Sequence, residues 1–282
     1  MRKKPPGDLL PSAHQVEREH RIYQALAETD VPVPQTYLLC KDDSIIGTPF
    51  FVMEYVVGRV FSDPRLPDFD PADRRGIYME MIRVLAALHS VDYDAKGLSD
   101  FGKQGNYFVR QTGRWTKQYL AAQTDEIPSM DRLIQWLPAN VPDDPTTTIV
   151  HGDFQLYNLM YHPGESRCLA VLDWELSTLG HPLADLAYNC MKYHAQEPGR
   201  CTVGGDGIPV EQELVDEYCR LTGRKGIENW NFCLAFSFFR SASIAQGVYK
   251  RGLQGNASSA RALAIKDSIA RAADTAWQIA NR

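Results

Sequence analysis

A short polar loop in the second half of the chain limits the possible folds more than any other segment. The loop, HGDFQLYN, covers residues 151–158 and follows the apolar pair Ile149 and Val150. Asp153 and Asn158 lie five residues apart within it. A loop entered from a buried strand can direct this carboxylate and this amide toward neighbouring points.

A β-hairpin is predicted directly after the loop. The residues that follow Asn158 predict a strand, a turn at the sequence PGES (residues 163–166) and a returning strand that ends at Asp173. Because a hairpin brings its two ends together, Asp173 should lie beside Asn158.

This arrangement is suited to phosphoryl transfer from ATP. The reaction needs a carboxylate to orient the acceptor hydroxyl and receive its proton, and hard oxygen ligands to hold Mg²⁺ on the phosphates. Asp153 can serve the hydroxyl, and Asn158 with Asp173 can serve the metal ion. Each residue alone also has a structural explanation, as a turn residue or a helix cap. The three together, in this order on one frame, favour the kinase chemistry.

A hydrolase is a poorer explanation of the same loop. His151 would have to act as the base for Asp153, but the two lie only two residues apart. No serine or cysteine elbow accompanies them.

The rest of the chain predicts an α+β protein with a small first part. A helix over residues 13–27, opening near Ser12, presents one face made of Val16, Glu19, His20, Tyr23 and Leu26. Strands are predicted at residues 36–40 and 49–57 as an antiparallel hairpin. Long helices are predicted around residues 77–88, 113–137, 230–249 and 257–279. The expected division is therefore a partly β region over residues 1–57 and a mostly helical region over residues 58–282.

Glu19 is the unusual member of the first helix face. A carboxylate on an apolar face is costly unless it is paired, so it needs a cationic partner or a ligand. The alternative is a half-exposed glutamate at the edge of the stripe.

Composition excludes several classes of protein. The net charge is −5 with both signs spread along the 282 residues, which argues against a nucleic-acid-binding stripe. No apolar run is long enough for a signal peptide or a membrane span. These features predict a soluble cytoplasmic protein that binds neither nucleic acid nor membrane. Six cysteines without a CxxC pair predict structural thiols in preference to disulfides or a metal site.

The loop and the sequence LDWE at residues 172–175 resemble the catalytic segments of aminoglycoside and choline kinases. In that family HGD replaces the HRD of protein kinases. The resemblance implies a protein-kinase-like bilobal fold that uses ATP and Mg²⁺, with Asp153 as the catalytic base and Asn158 and Asp173 as metal ligands. It implies that His151 supports the loop and that Asp185 braces it.

The resemblance extends upstream of the loop. Glu19 takes the place of the helix glutamate that pairs with a phosphate-binding cation, here Arg2 by strand register or else Lys3. The segment FVMEYVVG, residues 51–58, resembles the hinge that binds adenine. Met53 would lie there, and backbone groups of Glu54 and Val56 would contact the base. A buried strand is the other explanation of this segment.

The sequence of the chain is most similar to phosphotransferase domains found alone in bacteria or fused to acyl-CoA dehydrogenases. It departs from the family pattern in one respect, since no glycine-rich strand-turn-strand precedes Arg2. Either the start lies upstream, or the N-terminal β lobe is truncated and ATP binding is weak. The second case leaves a non-catalytic pseudokinase or binding protein as the alternative function.

Five residues are candidates for the wall of the acceptor pocket, although a core position is the stronger explanation for most of them: Tyr157, Trp174, Tyr193, Trp230 and Gln246. The C-terminal half shows no acidic cluster suited to an aminoglycoside, so the antibiotic is the lesser alternative. The acyl-CoA-dehydrogenase-associated relatives imply a hydroxyacyl-CoA-like small molecule. The oligomeric state is not predicted.

Overall fold

The computed structural model describes residues 1–4, 16–195, 204–256 and 260–282, without the side chains of residues 260 and 261. The helices and strands of these segments are, in chain order, β1 (Arg2–Lys3), α1 (Val16–Leu26), β2 (Thr36–Cys40), β3 (Phe50–Met53), α2 (Pro71–His89), α3 (Tyr107–Ala122), α4 (Pro128–Ala139), β4 (Thr148–Val150), β5 (Leu159–Tyr161), β6 (Cys168–Val171), β7 (Thr178–Gly180), α5 (Pro182–Cys190), α6 (Glu211–Thr222), α7 (Trp230–Leu253) and α8 (Lys266–Ala280).

The chain forms two compact units, each made from three separate segments. The first unit comprises Met1–Lys103, Thr148–Leu179 and Gly204–Lys225, and the second comprises Gln104–Thr147, Gly180–Val203 and Gly226–Arg282. The predicted lobes, residues 1–57 and 58–282, are a different division of the chain and stay a prediction. The catalytic loop and the small N-terminal sheet belong to the same unit.

The sheet of the first unit has the strand order β1-β3-β2, with both pairings antiparallel. The predicted strand at residues 36–40 is confirmed, but its partner ends at Met53 and not at residue 57. The last backbone hydrogen bond of the pair runs from the N–H of Glu54 to the carbonyl of Gln35 at 2.8 Å. Beyond it lies Pro34, which has no N–H to donate, so the ladder stops there.

The first helix buries the face that its sequence predicts. Val16, Glu19, His20, Tyr23 and Leu26 are all buried, and the helix packs against the sheet. The predicted start near Ser12 lies outside the described residues.

Helix α2 shows how local sequence fixes an element boundary. Pro71 occupies its first turn, and the carboxylate of Asp70 caps it by accepting the N–H of Asp73 at 2.9 Å. Its apolar face packs against α6, where a buried hydrogen bond of 2.7 Å joins the Nδ1 atom of His89 to the hydroxyl of Tyr218. The predicted helix around residues 77–88 is thus confirmed and extended at both ends.

The second unit is helical. Helix α7 packs against α3, α5 and α8, and α4 packs against α8. The last helix begins at Lys266, later than the predicted residue 257, and residues 257–259 lie outside the described part. No helix in the described part of the chain is long and apolar enough to cross a membrane.

Candidate active site

The loop at residues 151–158 depends on a glycine with a left-handed backbone. Gly152 has a φ of +83°, and a Cβ atom there would lie 2.8 Å from the carbonyl oxygen of Leu176. The neighbouring His151 is fully buried. Its Nδ1 atom accepts the backbone N–H of Asp153 at 3.2 Å, and its Nε2 atom lies 2.9 Å from the carbonyl oxygen of Leu172. With Nδ1 as the acceptor, Nε2 carries the proton and donates it, so the imidazole ties the loop to the end of β6.

The Asp153 carboxylate is held through both of its oxygens. The hydroxyl of Tyr157 donates to Oδ1 at 2.8 Å. The side-chain amide of Asn158 donates to Oδ2 at 3.0 Å and to the Asp153 carbonyl at 2.8 Å. Since the amide nitrogen is used in this way, the Oδ1 atom of Asn158 is the atom that can bind a cation.

The predicted hairpin brings Asp173 to the loop. Strands β5 and β6 are antiparallel, with Leu159 opposite Val171. The N–H of Leu172 donates to the carbonyl of Asn158 at 2.8 Å, and Asp173 is the residue that follows Leu172. Asp173 has φ 62° and ψ 62°, a left-handed conformation that costs an L-residue about 1–3 kcal/mol. The fold maintains this strain at the residue that carries the second carboxylate.

A cluster of charged groups surrounds this carboxylate. The guanidinium of Arg2 contacts both oxygens of Glu19, at 3.1 and 3.2 Å, and lies 3.2 Å from Asp173 and 3.6 Å from Glu175. Glu19 is 2% exposed, so burial raises the pKa of its carboxyl group while Arg2 opposes that shift. Three carboxylates around one guanidinium leave the cluster negatively charged, which favours a cation.

Arg2, the first of the two cations proposed as the partner of Glu19, is the one that forms the ion pair. In the sheet, Arg2 lies opposite Phe51. Lys3, the other candidate, is exposed. Sequence reasoning missed Glu175 as a member of the cluster and Gly152 as a residue with a positive φ. The spacing of Glu175, two residues after Asp173, was an available signal.

The proposed hinge follows β3 as an extended segment. Met53 is the last residue of the strand, and Glu54 and Val56 follow without regular structure. The N–H of Glu54 is already bonded to Gln35. A role in adenine binding would therefore use the Glu54 carbonyl and the Val56 N–H.

Trp174 is a core residue in this structure. Its side chain is fully buried, its Nε1–H donates to the Val171 carbonyl at 3.0 Å, and its ring contacts those of His151 and Tyr23. Direct contact with an acceptor is therefore excluded for Trp174. Tyr157, by contrast, is 46% exposed.

The remaining predicted residues belong to the second unit. Gln246 is also a core residue there, since its amide donates to the Ala122 carbonyl and to the Thr124 hydroxyl, each at 3.0 Å. Asp185 is buried in the first turn of α5, and Tyr193 is partly exposed. Trp230 lines an open cavity of about 390 Å³. The other residues around that cavity are Trp136, Asn140, Asn229, Asn231 and Phe232.

Comparison with known proteins accounts for this arrangement. The sequence model of the phosphotransferase enzyme family (APH) matches residues 1–219. Acyl-CoA dehydrogenase family member 10 of Mus musculus is 52% identical over 289 residues, which cover 100% of this chain and 27% of the mouse protein. Acyl-CoA dehydrogenase family member 11 of Homo sapiens is 45% identical over 289 residues and is covered to 37%. The chain thus spans about a third of these relatives.

Solved structures share the fold. A crystal structure of a proposed aminoglycoside phosphotransferase from Ralstonia eutropha JMP134 is 51% identical, with a TM-score of 0.91 over 96% of this chain and 84% of that one. Aminoglycoside phosphotransferase APH(4)-Ia, solved in a ternary complex with AMP-PNP and hygromycin B, is 15% identical with a TM-score of 0.61, covering 96% of this chain and 84% of that one. The predicted kinase-like α+β fold is confirmed. This chain belongs to the phosphotransferase enzyme family.

Proposed function

We propose that this chain transfers the γ-phosphate of Mg·ATP to a hydroxyl group of a small molecule. The observation that carries the proposal is the grouping of Asp153, Asn158 and Asp173 within one unit, beside the ion pair of Arg2 and Glu19. The family is one of phosphotransferases, and solved relatives bind ADP or AMP-PNP.

Asp153 would act on the acceptor. Its carboxylate is held by a hydrogen bond to each oxygen, so it is positioned to orient an acceptor hydroxyl and receive its proton. Arg2 would bind phosphate oxygens, because a guanidinium can do so through two donors. Glu19 would hold Arg2 in place through the contacts described above.

The donor set fits Mg²⁺. Asn158 Oδ1 and the Asp173 carboxylate are hard oxygen ligands, and Asp173 is 42% exposed at its side chain. The described residues contain no group of three His, Cys, Asp or Glu side chains placed to hold a metal ion. Two protein ligands, with the remaining positions left to phosphate and water, are the usual arrangement for this ion. When bound, Mg²⁺ supplies the positive charge that neutralises the phosphate oxygens.

For the acceptor we propose a hydroxylated acyl-CoA. The support is the likeness to two acyl-CoA dehydrogenase family members. The type VIII aminoglycoside-3'-phosphotransferase and APH(4)-Ia are each below 20% identical to this chain, so their likeness extends to the fold alone.

The first experiment is a calorimetric titration of Mg·ATP into the purified chain. Asp173→Asn is the appropriate variant, because asparagine tolerates the left-handed backbone that alanine does not. We expect Mg·ATP to bind the variant at least about tenfold more weakly. Asp68→Asn, at an exposed aspartate outside the cluster, is the matched control and should bind as the unmodified chain does.

The second experiment measures transfer. Hydroxyacyl-CoA compounds and aminoglycosides are each incubated with Mg·ATP, and phosphorylated product is detected by mass. We expect product from the acyl-CoA compounds, with a rate about 10²–10⁴-fold lower for Asp153→Asn. Product from aminoglycosides alone would refute the proposed acceptor. Mg·ATP binding with no transfer to any hydroxyl would favour a binding protein over an enzyme.

A further inference from the structure

The hydroxyl of Tyr157 lies where an acceptor hydroxyl is needed. Tyr157 follows Asp153 by four positions and belongs to a 3₁₀ helix of one turn, Leu156–Asn158. Its oxygen lies 2.8 Å from Asp153 Oδ1, within the distance over which a general base takes a proton. In this hydrogen bond the phenol donates and the carboxylate accepts. A substrate hydroxyl would donate to the carboxylate in the same direction.

The two oxygens of the Asp153 carboxylate each accept one side-chain hydrogen bond. The side-chain amide of Asn158 donates to Oδ2 at 3.0 Å, and the phenol of Tyr157 donates to Oδ1 at 2.8 Å. An acceptor that approaches Oδ1 meets the phenol there. At this oxygen, Tyr157 and the small-molecule acceptor compete.

We propose that Tyr157 is an internal phosphate acceptor, so that the chain phosphorylates its own tyrosine when no small-molecule acceptor is bound. The inference rests on the proposed function, because it uses the same Mg·ATP and the same base. Tyr157 Oη attacks the γ-phosphorus, and the bond from that phosphorus to the β–γ bridging oxygen breaks. ADP leaves with the electron pair of that bond, and the phenolic proton passes to Asp153 Oδ1.

The product would oppose further turnover. A phosphotyrosine carries about −1.5 to −2 charges at neutral pH, and these would stand beside the carboxylate that must receive the next acceptor. The tyrosine is 46% exposed, so the added phosphate can extend into solvent. An acceptor that occupies Oδ1 displaces the phenol and thereby prevents the modification.

The test is incubation of the full chain with Mg·ATP and no acceptor, followed by peptide mass spectrometry. We expect phosphate on the peptide that contains Tyr157, and its loss in Tyr157→Phe and in Asp153→Asn. Tyr37→Phe, at a tyrosine 60% exposed on β2, is the matched control and should be labelled like the unmodified chain. Because donor and acceptor belong to one chain, the labelling rate should not change when the protein is diluted.

Three results would overturn this inference. Transfer to a small molecule that depends on Asp153, with no phosphate on Tyr157, would leave the proposed function standing and remove the internal acceptor. Label that persists in Asp153→Asn, or a rate proportional to protein concentration, would show a different route. If calorimetry finds no binding of Mg·ATP, the proposed function fails and this inference fails with it.

Discussion

Replacing Gly152 by alanine tests whether the backbone of the catalytic loop is set by steric necessity. Two costs apply at this position. A φ of +83° costs an alanine about 1–2 kcal/mol. The new Cβ would also lie 2.8 Å from the Leu176 carbonyl oxygen and 3.0 Å from the Leu176 Cβ atom. The carbonyl is backbone and cannot rotate away, so the overlap costs about a further 1–3 kcal/mol.

Two other glycines separate these costs. Gly47 has nearly the same φ, +81°, but no atom lies within 4 Å of its built Cβ, so Gly47→Ala carries the conformational cost alone. Gly164 has neither a positive φ nor a close neighbour. Gly164→Ala should be neutral or stabilise the fold by about 0.4–1 kcal/mol, through the lower entropy of the unfolded chain.

Urea unfolding of the three variants, followed by tryptophan fluorescence, measures the free energy of unfolding by linear extrapolation. We expect a loss of about 2–5 kcal/mol for Gly152→Ala and about 1–2 kcal/mol for Gly47→Ala. Mg·ATP binding should weaken only in Gly152→Ala, because Asp153 follows it directly. Equal losses for these two variants would refute the assigned contact with Leu176.

Three further outcomes follow from the described contacts. Burial raises the pKa of the Asp144 carboxyl group, but hydrogen bonds and the ring of His181 outweigh burial and hold this pKa below its usual value. Asp144→Asn should therefore lower the free energy of unfolding by about 1–3 kcal/mol at pH 7. The difference from the unmodified chain should shrink as the pH falls below about 4. A difference that does not change with pH in urea unfolding would contradict this. Asp70→Ala removes the N-terminal cap of α2 and should cost about 1 kcal/mol in the same measurement, whereas no loss would mean that the cap is dispensable. Burial raises the pKa of the Cys168 thiol to about 12. Iodoacetamide at pH 8 should therefore modify Cys40 well before Cys168. Equal rates of modification of the two cysteines, measured by peptide mass spectrometry, would refute the buried position of Cys168.

The loop and the hairpin were predictable because short-range rules determine them. A hairpin joins its ends whatever the rest of the chain does, so the approach of Asp173 to Asn158 needed only the turn and the two strands. The buried position of Glu19 followed from helical periodicity. Its partner, Arg2 or else Lys3, was expected only through the family resemblance.

Side-chain direction was not predictable in the same way. Trp174 is adjacent to Asp173 in sequence, and adjacency to a reactive residue does not say whether an indole faces a pocket or the core. The structure places it in the core because the left-handed turn at Asp173 directs the next residue toward His151. The hydrogen bond from Tyr157 to Asp153 likewise depends on a 3₁₀ turn that the residue pattern does not predict.

The segmented make-up of the first unit has a consequence during protein synthesis. Its first segment ends at Lys103, but the unit is complete only after Lys225 has been made. At about 5–20 residues per second, the roughly 120 intervening residues take about 6–24 s. During that interval α6 has not been made, so α2 lacks the helix that packs against it and His89 lacks the hydroxyl of Tyr218 as its hydrogen-bond partner. The nascent chain therefore exposes an apolar helix face on the ribosome for seconds, which makes it a natural client for chaperones that bind such surfaces.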